Sequence, residues 1–208
     1  MLLWDGSGTP PVAGDDPHPV LRAARLSALS RHGRLDEATL LDAVSDPSQR
    51  VRLRALALAG EHPELLAPGL IAGVLEALAG DDQLVAEAAA AALGEAPHDA
   101  ATSDVVAALA AAATEHNERL VREAAVAALG SLGHQDGLAA VLSANSDVAT
   151  VRRRAVLALA AFDGPAVEER LNAALTDRDW QVRQGAEDLL DSAPSPTPNP
   201  TRPDEPVN

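Results

Sequence analysis

Six histidines and 31 carboxylates are the residues of this 208-residue chain best equipped for chemistry. Four histidines recur almost periodically, as His32, His62, His98 and His134. A row of imidazoles could in principle ligate a transition metal, but ligands must converge to about 2 Å from one ion. Units recurring by a helix-pair spacing stand about 10 Å apart, so this row predicts no metal centre. Glu61-His62-Pro63-Glu64 and Glu115-His116-Asn117-Glu118 look alike, yet they fall on turns at opposite edges of the repeating unit described below and cannot build one site. No nucleophile elbow, zinc-protease helix or phosphate loop occurs, and Gly6-Ser7-Gly8 has no helix after it. Lysine is absent, which removes Schiff-base and lysine-dependent phosphate chemistry. Cysteine is absent too, which removes disulfides and thiolate metal sites. The expectation is therefore no catalytic residue, no cofactor and no metal.

The elements that carry these residues repeat. The string V-R-x-x-A-x-x-A-L stands at Val121, Arg122, Ala125, Ala128, Leu129, and again at Val151, Arg152, Ala155, Ala158, Leu159. A third copy is Val182, Arg183, Ala186, Leu189, Leu190, and looser copies start at Leu21, Val51 and Val85. The starts at 21, 51, 85, 121, 151 and 182 are separated by 30, 34, 36, 30 and 31 residues. A unit of this size, repeated, is the mark of a solenoid. Within each copy, offsets 0, 4, 7 and 8 are apolar or small, which places them on one face of a helix. A shorter apolar stretch precedes most copies, at 37–44, 70–78, 105–112, 138–142 and 167–175. Each unit thus reads as two helices, A and then B, with the string on B.

Turn residues fit this division. Asp16, Asp46 and Asp177 stand five residues before a string and Asp147 four before, as expected of helix-start residues. Pro17 and Pro47 follow directly, suiting a first helical position. Gly60, Gly94 and Gly130 fall near the B-helix ends, where a glycine can terminate a helix in the left-handed conformation.

The units SDPSQRVRLRALALAG, RLVREAAVAALGSLG, SDVATVRRRAVLALA and TDRDWQVRQGAEDLL resemble HEAT repeats, in particular the phycobilisome-lyase-like HEAT subtype. The resemblance spans about residues 17–191 and implies an all-α, right-handed α-α superhelix of about six helix pairs. It also implies a ladder between stacked repeats, in which turn aspartates Asp16, Asp46 and Asp177 meet string arginines Arg22, Arg52 and Arg183, with Arg122 and Arg152 in the same string position. Ala86 replaces arginine in the third repeat, so the ladder should break there. HEAT-type deoxyhypusine hydroxylases carry His-Glu pairs within the repeat. Here the corresponding offsets hold Leu53-Arg54, Glu87-Ala88, Glu123-Ala124 and Arg153-Arg154, which excludes that activity.

Composition limits the partner. Net charge is −15, which repels phosphate backbones and disfavours nucleic acid and anionic membrane. Only Trp4, Phe162 and Trp180 are aromatic, so the apolar content is helix-forming alanine and leucine. No basic leader precedes an apolar stretch, and a cytoplasmic location is expected. Residues 1–15 are expected to be an N-terminal cap or flexible segment, 16–191 the repeat domain, and 192–208, with six prolines, a disordered tail. In this architecture the concave face is lined by B helices, and string offsets 2 and 6 place Leu53, Glu87, Glu123, Arg153, Leu157 and Gln184 there. That face reads as a groove of a non-catalytic scaffold that takes a protein or peptide, a basic one complementing its charge. The alternative implied by the repeat subtype is a bilin lyase-like or isomerase-like protein acting on a tetrapyrrole, though no tetrapyrrole-specific residue is visible.

Overall fold

The computed structural model describes residues 18–192. The expected cap at 1–15, Asp16, Pro17 and the proline-rich tail from residue 193 onward lie outside the described residues. Eleven α-helices follow one another among those residues: α1 (Pro19–Arg31), α2 (Glu37–Val44), α3 (Gln49–Glu61), α4 (Pro68–Leu78), α5 (Gln83–Gly94), α6 (Ser103–Glu115), α7 (Arg119–Leu132), α8 (Leu138–Ala144), α9 (Ala149–Ala158), α10 (Pro165–Ala174) and α11 (Trp180–Ser192). Odd-numbered helices carry the string and are the B helices; even-numbered ones are the A helices.

The helix α7 shows why the string folds as it does. Val121, Ala125, Val126, Ala128 and Leu129 are buried on one stripe, while Arg119 and Glu118 stay on the solvent side. The helix stops at Gly133, which sits at φ 60° and whose N–H reaches the Leu129 carbonyl, a left-handed ending that glycine adopts without steric cost. Neither this stripe nor that of any other helix can be buried within one repeat. From α3 onward each B helix packs on the A helix before it, and successive B helices pack on one another, α1 on α3, α3 on α5 and onward to α11. A helices meet their A neighbours more sparsely, least of all α4 with α6 and α8 with α10. A stack that is tighter along one side curves towards that side, so the B-helix face is the inner one. The result is an α-solenoid with one continuous core running along it.

Alanine sets the spacing of this core. A buried methyl group stabilises by only about 0.8 kcal/mol, but its small size lets helix backbones approach closely. The glycines expected to terminate B helices do something else. Gly60 and Gly130 lie inside α3 and α7, Gly94 is the last residue of α5, and none has positive φ. Each instead faces the alanine at offset 7 of the next B helix: Gly60 faces Ala92, Gly94 faces Ala128 and Gly130 faces Ala158. The correction has a simple cause. Proximity to a helix end suits a cap, but here the crossing point of two helices lies near that end, and lack of a side chain is what the crossing demands. Pro47 is likewise not at a first helical position, because α3 begins at Gln49 after Ser48. Asp46 braces that turn by accepting the Ser48 N–H.

Candidate functional site

String arginines hold the B helices in register across four of the five joints among the described residues. Arg22 donates through Nε and Nη2 to both oxygens of Asp46, each at 2.8 Å. Arg52 donates to Asp82 at 2.9 Å. Arg122 grips Asp147 at 2.6 and 2.9 Å, and Arg152 grips Asp177 at 2.9 and 2.7 Å. The Nη1 group reaches back to a carbonyl of the arginine's own turn: Asp46 for Arg52, His116 for Arg122, Asp147 for Arg152 and Asp177 for Arg183. One guanidinium therefore ties its own turn to the turn of the following repeat.

Of the residues assigned to this ladder from sequence, Arg22 with Asp46, and Arg152 with Asp177, are brought together in this way. Arg52 and Arg122 find Asp82 and Asp147, two acceptors not in the assigned set. Asp82 stands only three residues before its string, because it also caps α5 by accepting the Val85 N–H. Arg183 meets only the Asp177 carbonyl among the described residues. No ion pair among the described residues crosses the α5–α7 joint, where Ala86 offers no donor and the facing turn holds His116 and Asn117 instead of aspartate.

The arginines hold the carboxyl groups of Asp46, Asp147 and Asp177 below the usual aspartate value, each through the hydrogen bonds of its partner guanidinium. A carboxylate with a lowered native pKa contributes stability that is complete above its unfolded value, near 4, and is lost as pH falls through the native one. The urea midpoint is accordingly expected to be level near neutrality and to drop as pH is taken below about 4. Asp147→Asn should flatten that drop. A wild-type midpoint unchanged down to about pH 2.5 would contradict the linkage.

On the inner face, Leu53 is half-buried against the core, and Glu87 and Glu123 are half-buried in the two central repeats. Glu87 has no hydrogen-bond or ion-pair partner among the described residues, whereas Glu123 lies 3.8 Å from Arg154. Exposed Ala57 and Ala91 and half-buried Ala127 leave the floor between them smooth. Gln184 donates to Asp188 at 2.7 Å. Arg153 is engaged by Asp179, to which it donates through Nε at 2.9 Å and through Nη2.

That pair organises the end of the groove. Asp179 also accepts the backbone N–H groups of Gln181 and Val182, fixing the first turn of α11. Its carboxyl is held down to about 2, chiefly by the Arg153 hydrogen bonds. Trp180 stands in this turn and is 63% exposed, close to Leu157 of α9, itself 53% exposed. Around them α7, α9 and α11 enclose a hollow of about 430 Å³. Gly185 lines the hollow where α11 packs closely on α9, and a Cβ there would stand 3.3 Å from Val156. Thr150 lines the same hollow, and its buried hydroxyl has no hydrogen-bond partner. Trp180 was not singled out from sequence for this face. Its signal was present: a large aromatic between Asp179 and Gln181, in a chain almost without aromatics, at a position just outside the buried stripe.

Residues 71–149 match the family model for HEAT repeats, and residues 151–177 match that for the PBS lyase HEAT-like repeat. The chain is a HEAT-repeat protein. Among solved structures, an engineered protein resembles the array with a TM-score of 0.62 and 20% identity over 86% of this chain and 85% of that one. A designed armadillo repeat protein in complex with the peptide (KR)4 gives a TM-score of 0.60 and 16% identity, over 86% and 87% of the two chains. A computationally designed armadillo repeat protein for modular peptide recognition gives 0.54 and 16% over 86% and 87%. No curated protein matches the chain in sequence.

Of the four recurring histidines, His62 and His134 are each engaged by local partners. His62 is hydrogen-bonded to Ser30 at 2.8 Å, joining α1 to the end of α3, and to Glu64 at 3.1 Å. His134 accepts the Asp136 N–H within its own turn. Among the described residues no three His, Asp or Glu side chains gather closely enough to hold a metal ion. No helix among them is long and apolar enough to cross a membrane.

Proposed function

We propose that this HEAT array is a cytoplasmic, non-catalytic scaffold whose inner face holds a peptide segment of a partner protein. The observation that carries the reading is the pairing of Trp180 and Leu157, two large apolar side chains left exposed around a hollow on an otherwise small-residue groove. Tryptophan in a pocket rimmed by polar groups is a typical energetic centre of a protein interface. A basic segment suits the unpaired Glu87 and the net charge of −15. In the designed armadillo repeat protein described above, a related architecture holds (KR)4; that peptide is the ligand of that protein, and here the charge argument stands by itself.

The test is a quantitative capture of partners from the native host with the wild type, with Leu157→Glu/Trp180→Ala, and with Glu87→Arg/Glu123→Arg. Leu157 and Trp180 are exposed and Glu87 and Glu123 half-buried on the open inner face, so circular dichroism should be unchanged and checks that each variant is folded. Loss of an interface centre weakens binding by about 2 kcal/mol or more, roughly thirtyfold. Retention of every wild-type partner by the first variant would remove the basis for the groove, and retention by the second would remove the preference for a basic segment.

A further inference from the structure

A second hollow, of about 580 Å³, opens on the other side of the array and shares no residue with the groove. It lies between α4 and α6, at the joint with no arginine–aspartate rung. Its origin is legible in the repeat spacing. The string intervals of 34 and 36 residues exceed the others. Part of the extra length goes into A helices, with 11 residues in α4 and 13 in α6 against 8 in α2, 7 in α8 and 10 in α10. More goes into the link at residues 95–102. These additions hold α4 and α6 apart, and every residue lining the hollow comes from 63–75 or 97–104. Insertions within solenoid repeats collect on one side of the stack, often where partners bind.

The chemistry of the hollow is lopsided. Ile71 and Leu75 of α4, with Pro63, Pro68 and Pro97, form an apolar floor, and Glu64, Asp99 and Asp104 stand on its rim. No arginine or histidine lines it. His62, outside the lining, is bonded to Glu64 at 3.1 Å and to Ser30 on its other nitrogen, and His98 stands in the chain between the lining residues Pro97 and Asp99. Hydrogen bonds from its own backbone and from His62 hold the Glu64 carboxyl below its ordinary value, so the rim is anionic at neutral pH.

We propose that this hollow between α4 and α6 is a second docking site, taking a partner segment that sets an arginine or lysine beside an apolar side chain. The aliphatic stem of such a residue lies on the Ile71–Leu75 floor while its charged head reaches the carboxylates, the usual division of labour in long basic side chains. Charge complementarity selects this occupant, since three carboxylates with no arginine among the lining residues repel an acidic segment and leave a purely apolar one with desolvated acids.

The experiment is an amide NMR titration of the full chain with acetyl-Leu-Arg-Leu-Arg-amide and, separately, acetyl-Leu-Glu-Leu-Glu-amide. The basic peptide is expected to shift signals from residues 63–75 and 97–104, and the acidic peptide to shift none of them. In Glu64→Gln/Asp99→Asn/Asp104→Asn, all at the surface, the affinity should fall by about tenfold. It should also fall at about 0.5 M salt, where exposed charges are screened within a few ångströms. Ala72→Trp, which fills the hollow and keeps the carboxylates, should weaken binding as well. Equal binding by the acidic peptide, undiminished affinity in both variants, or shifts confined to α9 and α11 would each overturn the proposal. The last outcome would leave the inner groove as the basic-segment site.

Discussion

Replacing Gly130 with alanine is expected to destabilise the array by about 1–3 kcal/mol, the cost of forcing atoms into a packed contact, although alanine is the better helix former. A Cβ at residue 130 would lie 2.7 Å from the Ala158 Cβ and 2.9 Å from the Ala158 Cα. Neither atom is the end of a flexible side chain. Relief requires α7 and α9 to separate, and in a solenoid that joint is the interaction that couples neighbouring repeats. Gly94→Ala meets the same obstacle, with Ala128 backbone and Cβ at 2.8 and 2.9 Å. Gly60 is the internal control. Its added Cβ would find nothing nearer than 3.6 Å, so the gain in helix propensity survives and Gly60→Ala should stabilise by up to about 1 kcal/mol. Urea or thermal midpoints of the three variants should thus differ in sign. Three shifts in one direction would mean that the crossings are not what these glycines serve.

The Arg152–Asp177 pair is the most buried rung, with side chains 6% and 11% exposed. Removing either partner leaves the other charge with poor solvation, so Arg152→Ala or Asp177→Ala is expected to cost about 2–3 kcal/mol, somewhat below the range for fully buried pairs. Asp177 also accepts the Asp179 N–H, and loss of the carboxylate loosens the turn that leads to Trp180. By contrast, Arg54→Ala breaks a pair with Glu61 whose side chains are 32% and 53% exposed, and should change stability by well under about 1 kcal/mol. A double-mutant cycle between Arg152 and Asp177 checks the assignment. A coupling energy near zero would show that the arginine stabilises by other means than this pair, its bond to the Asp147 carbonyl and its packing.

How far the sequence could be read varied with the range of the interaction. The 3.6-residue stripes of Val121, Ala125 and Leu129 name both the helix and its buried side, because burial of an amphipathic helix depends on its own residues. The repeat interval marked A and B helices for the same reason, and α2 occupies the stretch expected of it. The ladder was only half readable. An arginine string is visible, but its acceptor sits in the next repeat at a separation that differs with the length of the intervening helix, which hid Asp82. Gly94 looked like a terminator because its neighbour across the joint, Ala128, is 34 residues away. Trp180 could be counted but not aimed.

A residue-by-residue reading thus establishes an all-helical stack of pairs, its net negative charge and its lack of thiol and lysine chemistry, since these follow from composition and local periodicity. The relation of each repeat to the next required coordinates. Which glycine faces which alanine, which carboxylate closes each rung, where α4 and α6 stand apart, and that Trp180 and Leu157 line one hollow all depend on how rigid helices cross. Crossing is governed by contacts between residues a full repeat apart, for which the order of the chain carries no periodic mark.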